Sequence, residues 1–393
     1  MADKLRYPLY MNLPFILISV IAIFFILFIG QSIIVPLLLS FLFAIMLRPV
    51  ASFMTDKLKF PNVISSMMAV LIFSAIIIGV FIFISVQISD MVSDFDKIER
   101  NVNIHLDNLQ RFLKSQFNLN STEQSKYVNE ATEGSLEKSK EILGITLLSV
   151  TDTIMNTILV PIYMFLILLY RTHFLTFLTK LVSPKNHDQL FVILRNVKLA
   201  VKSYIVGLIL ETIFVSVLTS IGLMVIGVKY AILLGVITGI LNLIPYIGIL
   251  MAGLITIVAS LTGSADISIV VGIIVVTTIV QFIDNNILVP IVVSSKVEVN
   301  AIASIVGIII GGAIAGFSGM FLAIPIIAIL KVIFDKVESL KAWGYLLGDD
   351  IPKTYEWRSI RLPNFTFQST STVNYSEEDK DNDKDNDSNS EIE

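Results

Sequence analysis

Long stretches without charge alternate along this chain with shorter polar or basic stretches. No Asp, Glu, Lys or Arg occurs in residues 7–47 or 67–86. A helix needs about 20 mainly apolar residues to cross roughly 30 Å of hydrocarbon, so the first stretch has room for two spans, with a break at Gly30-Gln31-Ser32. The whole pattern predicts eight transmembrane helices, near residues 13–29, 33–47, 67–86, 143–170, 204–226, 230–261, 267–283 and 301–330.

The predicted sixth span is interrupted near its middle. Residues 230–261 contain Pro245 and Gly248. Proline removes a backbone N–H and clashes with the preceding helical turn. The segment is therefore either one long tilted helix or two half-helices in a re-entrant turn, and the second interpretation would change the number of spans.

Residues 89–142 interrupt the apolar pattern with charged and amide side chains. Apolar residues in their first half recur at steps of three and four, as on one face of a helix; they are Val92, Phe95, Ile98, Val102, Leu106, Leu109 and Leu113. Ser121 with Gln124 resembles a capping box that opens a second helix. The segment predicts a helical hairpin outside the membrane, which packs on itself or, alternatively, serves as a gate or an entry for substrate.

Basic residues predict the orientation, because Lys and Arg are in excess on the cytoplasmic side of membrane proteins. Residues 171–202 carry six basic residues and one acidic residue, and the turn after the second span carries Lys57 and Lys59. In an eight-span arrangement both stretches share one face with both termini. The termini are therefore predicted to be cytoplasmic and residues 89–142 external.

The composition fits this class of protein. Of the 393 residues, 55% are hydrophobic and 15% are charged, whereas about a quarter of the residues in soluble domains are charged. The fold class predicted is an all-α polytopic membrane protein. We divide the chain into residues 1–88 (spans one to three), 89–142 (external hairpin), 143–347 (spans four to eight) and 348–393 (cytoplasmic tail), whose acidic end from about residue 376 is too polar to bury a core and is predicted to be disordered.

Several kinds of chemistry have no support in the sequence. The chain contains no cysteine and only three histidines, His105, His173 and His187, none at metal-ligand spacing from another. The Walker A, Gly-x-Ser-x-Gly and His-Glu-x-x-His motifs are absent. We therefore predict no enzymatic activity, no cofactor or metal, and no nucleic-acid partner.

Polar residues at membrane depth are the candidates for a transport site. Glu211 lies inside the predicted fifth span, where a charge costs about 2.5–3.5 kcal/mol on insertion scales. It is predicted to bind a proton or ligand, to hydrogen-bond a neighbouring helix, or to lie at a shallower depth and extend its carboxylate to the membrane interface. Two proline-interrupted segments follow, and such segments with clustered polar groups are typical of transporter sites. Their candidates are Asn242, Pro245, Tyr246 and Gly248 in the first, and Gln281, Asp284 and Asn285 in the second, which would otherwise be a loop at the membrane boundary.

Small residues recur at steps of four in the predicted eighth span. They are Ala303, Gly307, Gly311, Ala315 and Gly319. Small side chains at this spacing let two helices approach closely. The stripe predicts either packing within one subunit or an interface of a homo-oligomer.

Several separated blocks resemble the autoinducer-2 exporter family of bacterial multi-pass membrane proteins. The most specific block runs from Gly227-Val228-Lys229-Tyr230-Ala231 to Asn242-Leu243-Ile244-Pro245-Tyr246-Ile247-Gly248. The others are residues 36–50, 160–171, 281–290 and 316–331, and the resemblance covers about residues 11–347. Asp284 stands where a glutamate is expected. The resemblance implies a transporter in the bacterial cytoplasmic membrane, and family members either export autoinducer-2 or exchange sodium for protons.

The leading functional hypothesis is export of a small, polar, hydroxylated solute such as autoinducer-2. Amides, hydroxyls and opened backbone near Asn242, Pro245, Tyr246 and Asn285 would bind it, with Gln281 nearby. The alternative is cation/proton antiport, in which Glu211 and Asp284 carry the exchanged proton. A third hypothesis, from a different class, is a membrane scaffold that does not transport and binds partners through its external hairpin.

Overall fold

The computed structural model describes residues 9–94, 158–245, 247–260, 266–292 and 299–349, together with the single residues 97, 100, 101, 104 and 111. These residues form helices and no β-strand, which confirms the predicted all-α class. The helices are α1 (Leu9–Ile29), α2 (Gln31–Asp56), α3 (Asn62–Ser93), α4 (Leu159–Leu169), α5 (Arg171–Leu181), α6 (His187–Val225), α7 (Ala231–Leu241), α8 (Ile247–Ser260), α9 (Ile267–Ile283), α10 (Val289–Val292), α11 (Ala301–Lys336) and α12 (Lys341–Leu347). Two 3₁₀ turns, Pro184–Asn186 and Glu338–Leu340, and a π-helical turn, Asp284–Leu288, lie between them. Most of the predicted external hairpin, the start of the predicted fourth span, Tyr246 and the acidic tail fall outside the described residues.

The long helices are long enough to cross a bilayer. Within the described ranges, five helices have the length and apolar composition of a membrane span, or six if the bent pair α4 and α5 counts as one. Apolar segments become helices in this setting because hydrocarbon offers no partner for backbone N–H and C=O groups, which a helix pairs internally. Their number differs from the eight predicted spans. Three of the predicted segments depart from single crossing helices, and one of these is α11, which is counted above as one helix.

The first of these segments is the junction of α1 and α2. The break falls where the sequence predicts it, but Gly30 alone separates the two helices. Loops that join antiparallel helices have about two to five residues, so Gly30 does not fold α1 back along α2. Side chains of α1 remain exposed, with Phe15 at 68% and Ile21 at 66%. The predicted reversal between the first two spans is therefore not observed.

Helices α2, α3 and α4 pack together. The Ser40 hydroxyl of α2 donates to the Val160 carbonyl of α4 at 2.9 Å. A shared core runs along the three helices and contains Ala44, Leu47, Val70, Met164 and Leu168. Ser40 pairs with Val160 near the start of both helices, and Arg48 interacts with Arg171 beyond the end of α4. The two helices are therefore parallel, and α3, which follows α2 after a short turn, is antiparallel to both.

Helix α7 runs antiparallel to α6 and packs closely against it. A Cβ atom at Gly235 would contact Ser220, and one at Gly239 would contact Ser216. Small residues at steps of four on both helices permit this approach. The contact fixes α7 against the middle of α6.

Helices α7 and α8 form a helical hairpin, which we call hairpin 1 (residues 231–260). A Cβ atom at Gly248 would overlap the carbonyl oxygen of Leu241, so the chain turns sharply between the helices. Ala259, near the end of α8, packs in the same core as Leu233, near the start of α7. The predicted sixth span is therefore two half-helices that return to the end from which they started, the second of the two alternatives.

Helix α11 is also folded back on itself, and we call it hairpin 2 (residues 301–336). Ala315 and Gly316 leave helical geometry, and Gly316 has φ +56° and ψ −139°. A backbone of this kind is accessible to glycine, which has no Cβ atom. Gly311 and Gly319 face each other across the turn, and a Cβ on either would overlap the carbonyl oxygen of the other.

Hydrogen bonds at the base of hairpin 2 confirm that both arms end together. The Asn300 side-chain amide, just before the first arm, donates to the carbonyls of Leu346 at 2.6 Å and Gly348 at 3.1 Å, which follow the second arm. The predicted eighth span, residues 301–330, is therefore wrong as a single crossing helix. The physical reason is the turn at Ala315 and Gly316, which reverses the chain between two apolar arms.

The two hairpins enter from opposite ends of the bundle. Hairpin 1 starts beside Lys229, whereas the base of hairpin 2 lies at Lys336, whose carbonyl accepts a hydrogen bond from Gln189 at the start of α6. We call these the Lys229 end and the Lys336 end. Ile244, at the tip of hairpin 1, packs against Ile308 and Ala323 in the arms of hairpin 2. The hairpins thus meet inside the bundle.

A polar cluster ties α3 to hairpin 1 at the Lys229 end. Asp94 accepts hydrogen bonds from Lys229, from Lys97 at 2.7 Å and from the Tyr230 hydroxyl at 2.7 Å. The Lys229 and Lys97 ammonium groups and the Tyr230 hydroxyl hold the pKa of Asp94 well below its ordinary value. The same contact with Asp94 raises the pKa of Lys229. The cluster is therefore ionised and intact at neutral pH.

Candidate functional site

Glu211 lies in the middle of α6 and is buried. Its side chain is 7% exposed. It sits within the apolar part of a helix that runs the length of the bundle, as the sequence predicted. A carboxylate at this depth needs a partner, because an unpaired charge in hydrocarbon costs several kcal/mol, about 2.5–3.5 on insertion scales.

Asn242 provides that partner and joins Glu211 to a second carboxylate. Its Nδ2 amide donates to Glu211 Oε1 at 2.9 Å and to Asp284 Oδ2 at 3.0 Å. Asn242 is 8% exposed and Asp284 is 2% exposed. Three segments that are far apart in sequence therefore converge on one buried amide, and we call these three residues the buried triad.

Asp284 is positioned by an irregular turn. The chain after α9 widens into the π-helical turn Asp284–Leu288, in which the Val289 N–H donates to the Asp284 carbonyl. Such single π turns are frequent at functional sites. Pro290 follows directly and cannot donate a helical hydrogen bond. The turn directs the Asp284 side chain into the bundle, where it meets Asn242.

The environment of Asp284 is incompletely paired. Gln281 Nε2 lies 3.4 Å from Asp284 Oδ2 and donates to Asn285 Oδ1 at 3.1 Å. The other oxygen, Asp284 Oδ1, is buried without a hydrogen-bond partner among the described residues. Buried polar atoms are nearly always paired in proteins, so this oxygen is available to a proton, an ion or a solute.

The buried triad has no basic counter-ion among the described residues. Their salt bridges involve Asp94 and Asp335 and leave Glu211 and Asp284 unpaired within 4.0 Å. A neutral amide satisfies hydrogen bonds but neutralises no charge. Two ionised carboxylates that share one amide would place two negative charges in a low-dielectric interior. The arrangement therefore requires protons or a bound cation for neutrality.

Comparison with known proteins assigns this chain to a family. A model described as AI-2E family transporter matches residues 16–339. The chain belongs to that family. Two proteins of Bacillus subtilis (strain 168) are similar over shorter stretches. "Putative transport protein YrrI" is 30% identical over 109 residues, which are 28% of this chain and 30% of the relative's length. "Putative transport protein YueF" is 26% identical over 156 residues, which are 40% of this chain and 42% of the relative's length. The aligned part of this chain thus spans less than half of either relative.

The family is described as one of transporters, and the described residues include several helices that are long and apolar enough to cross a membrane. Family membership favours the two transport hypotheses over the membrane scaffold. The substrate is not part of what the family assignment establishes. The site itself must therefore indicate what the transporter moves.

The other predicted site residues of the transporter surround the triad or lie outside it. Pro245 and Gly248 belong to the turn of hairpin 1 that carries Asn242. Gln281 and Asn285 form an amide pair at the edge of the triad, and Asn285 is exposed. Tyr246 lies outside the described residues.

The stripe of small residues is not part of the triad. Its members Ala303, Gly307, Gly311, Ala315 and Gly319 all belong to hairpin 2. Gly311 and Gly319 bring the two arms of the hairpin together, and Ala315 lies in the turn. Gly307, Gly311 and Gly319 therefore make contacts within this chain, while an interface of a homo-oligomer stays a prediction.

Sequence reasoning missed a buried hydroxyl on α6. Thr212 follows Glu211 on α6, and its Oγ1 is buried without a hydrogen-bond partner. It also missed the contact between Gly235 and Gly239 on α7 and Ser216 and Ser220 on α6. The signal was present as small residues at steps of four in two consecutive segments.

Proposed function

We propose that this transporter exchanges a monovalent cation, such as sodium, for protons at the buried triad. One observation carries the proposal: Glu211 and Asp284 share the Asn242 amide inside the bundle and have no basic counter-ion among the described residues. Protons and a cation are two ways to neutralise the same pair of carboxylates. Because they neutralise the same charge, binding of one favours release of the other.

The chemistry of the triad suits an alkali cation. Carboxylate and amide oxygens are the ligands that hard cations prefer. Asp284 Oδ1 has no hydrogen-bond partner to displace. Hairpin 1 carries Asn242 on its tip, so a movement of the tip would break both hydrogen bonds of the triad and open the carboxylates to the incoming ion.

The distribution of basic residues gives the proposed orientation of the transporter in the membrane. Residues 171–202 carry the basic excess, and this segment leads into the start of α6 at the Lys336 end. By the positive-inside rule this end faces the cytoplasm. We place the transporter in the bacterial cytoplasmic membrane with the Lys229 end outside.

The test uses the purified full chain in sealed vesicles with an imposed sodium gradient and a pH-sensitive dye inside. Glu211→Gln and Asp284→Asn preserve the shape of each side chain and remove its titration. Each change should abolish sodium-driven proton movement. Asp188→Asn, which removes an exposed carboxylate in the first turn of the same helix α6, should transport like the unmodified chain.

The outcome is decisive in either direction. Sodium-driven proton movement that persists in both Glu211→Gln and Asp284→Asn would contradict the proposal. Loss of the movement in Asp188→Asn as well would show that the effect is not specific to the triad.

A second candidate is export of a small hydroxylated solute such as autoinducer-2. Asp284 Oδ1, which has no hydrogen-bond partner among the described residues, and the amide pair Gln281 and Asn285 favour it because a polyol binds through many hydrogen bonds. Solute efflux measured beside vesicle pH separates the two candidates. Efflux that survives Glu211→Gln and Asp284→Asn but is lost in Asn242→Leu would favour solute export over cation exchange.

A further inference from the structure

Arg48 in α2 and Arg171, the first residue of α5, lie near each other at one end of the bundle. Helices α2 and α4 each have a Val-Pro pair in the first half, and Arg48 and Arg171 follow twelve and ten residues after the prolines. The helices are parallel, and Leu47 and Leu168 share one core immediately before the arginines. The two arginines therefore lie at about the same level along the bundle.

Arg48 and Arg171 lie close enough for their charges to interact. The charge of Arg171 acts on Arg48, and the charge of Asp56 acts on it to a smaller extent. Within the described ranges no carboxylate lies within 4.0 Å of either arginine. Arg48 is half-buried and Arg171 is exposed. Two adjacent guanidinium groups of this kind form a ready site for an anion with several oxygens.

Helix α5 begins at Arg171 and turns away from the bundle. Its axis is bent by 67° from that of α4. Because α4 runs alongside the membrane span α2, a helix bent this far lies closer to the plane of the membrane surface than to its normal.

The two faces of α5 have different chemistry. Helical spacing groups its apolar residues on one side, and they stay exposed: Phe174 at 51%, Leu175 at 38%, Phe177 at 57% and Leu181 at 69%. The opposite side carries Thr172, His173, Thr176, Thr179 and Lys180. Amphipathic helices of this pattern lie in the membrane interface with the apolar side toward the acyl chains.

The end of α5 is tied to the next helix. The ring of His187, at the start of α6, lies 3.0 Å from the Thr179 carbonyl and 3.1 Å from the Val182 carbonyl through Nε2. These contacts hold the end of α5 beside the start of α6. The orientation of the helix is therefore fixed at both of its ends.

We propose that Arg48, Arg171 and the apolar face of α5 form a binding site for an anionic phospholipid. The two guanidinium groups bind the headgroup phosphate, and the acyl chains lie along the apolar face. A phosphate presents the oxygens that paired arginines bind with two parallel hydrogen bonds. The continuous apolar surface beside it selects a lipid over free phosphate.

The test measures lipid binding to the purified full chain in detergent by native mass spectrometry, with phosphatidylglycerol and phosphatidylcholine titrated in parallel. Arg48→Gln with Arg171→Gln should weaken phosphatidylglycerol binding about thirtyfold, since each basic residue near an anionic surface contributes roughly fivefold. Phosphatidylcholine binding should not change. The matched control is Lys57→Gln with Lys59→Gln, which removes the same charge from the turn after α2.

Three results would overturn the proposal. The first is unchanged phosphatidylglycerol binding in Arg48→Gln with Arg171→Gln. The second is an equal fall of that binding in Lys57→Gln with Lys59→Gln. The third is binding of inorganic phosphate as tight as that of the lipid. If the glutamine pair does not fold, Phe174→Ser with Phe177→Ser provides the test, because both arginines remain and the apolar face is lost. Unchanged phosphatidylglycerol binding in that variant would also contradict the site.

Discussion

Asn242 is the residue on which the geometry of the buried triad depends. Its single amide donates to Glu211 and to Asp284, which lie on different helical segments. A hydrogen bond to a charged group contributes about 1.5–3 kcal/mol. Asn242 sits on the tip of hairpin 1, so the same two bonds that stabilise the site also hold the hairpin against the bundle.

Asn242→Leu should therefore destabilise the protein and stop transport together. Leucine has a similar size but no donor, and it leaves two buried carboxylates without their shared partner. We expect a loss of roughly 3–6 kcal/mol in the free energy of unfolding from the two bonds. Thermal unfolding in detergent and ion flux in vesicles measure the two effects.

The matched control is Asn286→Leu. Asn286 is exposed and donates only to the Phe282 carbonyl of its own helix at 2.8 Å, and such surface changes usually stay within about 0.5 kcal/mol. If Asn242→Leu unfolds and transports like the unmodified chain, the amide does not hold the site together.

Sequence reasoning identifies the three members of the triad but not their contact. Each stands out because a polar side chain in an apolar stretch is costly and rare. The contact joins residues that are 31 and 42 positions apart, and it depends on where hairpin 1 turns. Thr212 is missed because a hydroxyl in a helix can bond to its own backbone and so gives no signal.

At the scale of the elements, two apolar helices reverse direction inside the bundle. Pro245 and Gly248 mark the turn of hairpin 1 in the sequence, whereas hairpin 2 turns at Ala315 and Gly316 without a proline. Steps of four among small residues continue across that turn and suggest one straight helix. The pattern of small residues predicts which positions pack closely against another helix. It does not predict that this other helix is the second arm of the same hairpin.

Gly316→Ala tests the turn of hairpin 2. With φ +56° and ψ −139°, a residue with a Cβ atom is strained at this position by about 1–3 kcal/mol. We expect the melting temperature in detergent to fall, although a Cβ atom would meet no other atom within 4 Å.

Gly79→Ala is the matched control for backbone strain. Gly79 lies within α3 and also has nothing within 4 Å of a Cβ atom, so alanine there should leave the stability unchanged or raise it. Equal melting temperatures for Gly316→Ala and the unmodified chain would show that α11 does not turn at this position.

At the scale of the whole molecule, the two hairpins enter from opposite ends and meet at Ile244, Ile308 and Ala323. The composition of these segments predicts that they lie in the membrane, because both arms of each hairpin are as apolar as a crossing helix. It does not predict whether a segment crosses or returns. That distinction depends on contacts such as Asn300 with Leu346 and Gly348, which join residues 46 and 48 positions apart.

The absence of cysteine makes this topology directly testable by labelling single cysteines with a membrane-impermeant maleimide. Arg100 and Lys185 serve as references for the Lys229 end and the Lys336 end, since Arg100 follows α3 and Lys185 precedes α6. Because hairpin 1 returns to the Lys229 end, Ser268→Cys at the start of α9 should react from the same side as Arg100→Cys.

Hairpin 2 makes the complementary prediction, because Ala301 begins its first arm at the Lys336 end. Ala301→Cys should react from the same side as Lys185→Cys. Eight crossing helices would exchange these results, since residues 230–261 and 301–330 would then each reach the opposite face. Ser268 and Ala301 are both exposed positions, so either labelling pattern can be read directly. Reaction of Ser268→Cys with Lys185→Cys, and of Ala301→Cys with Arg100→Cys, would overturn the two-hairpin topology.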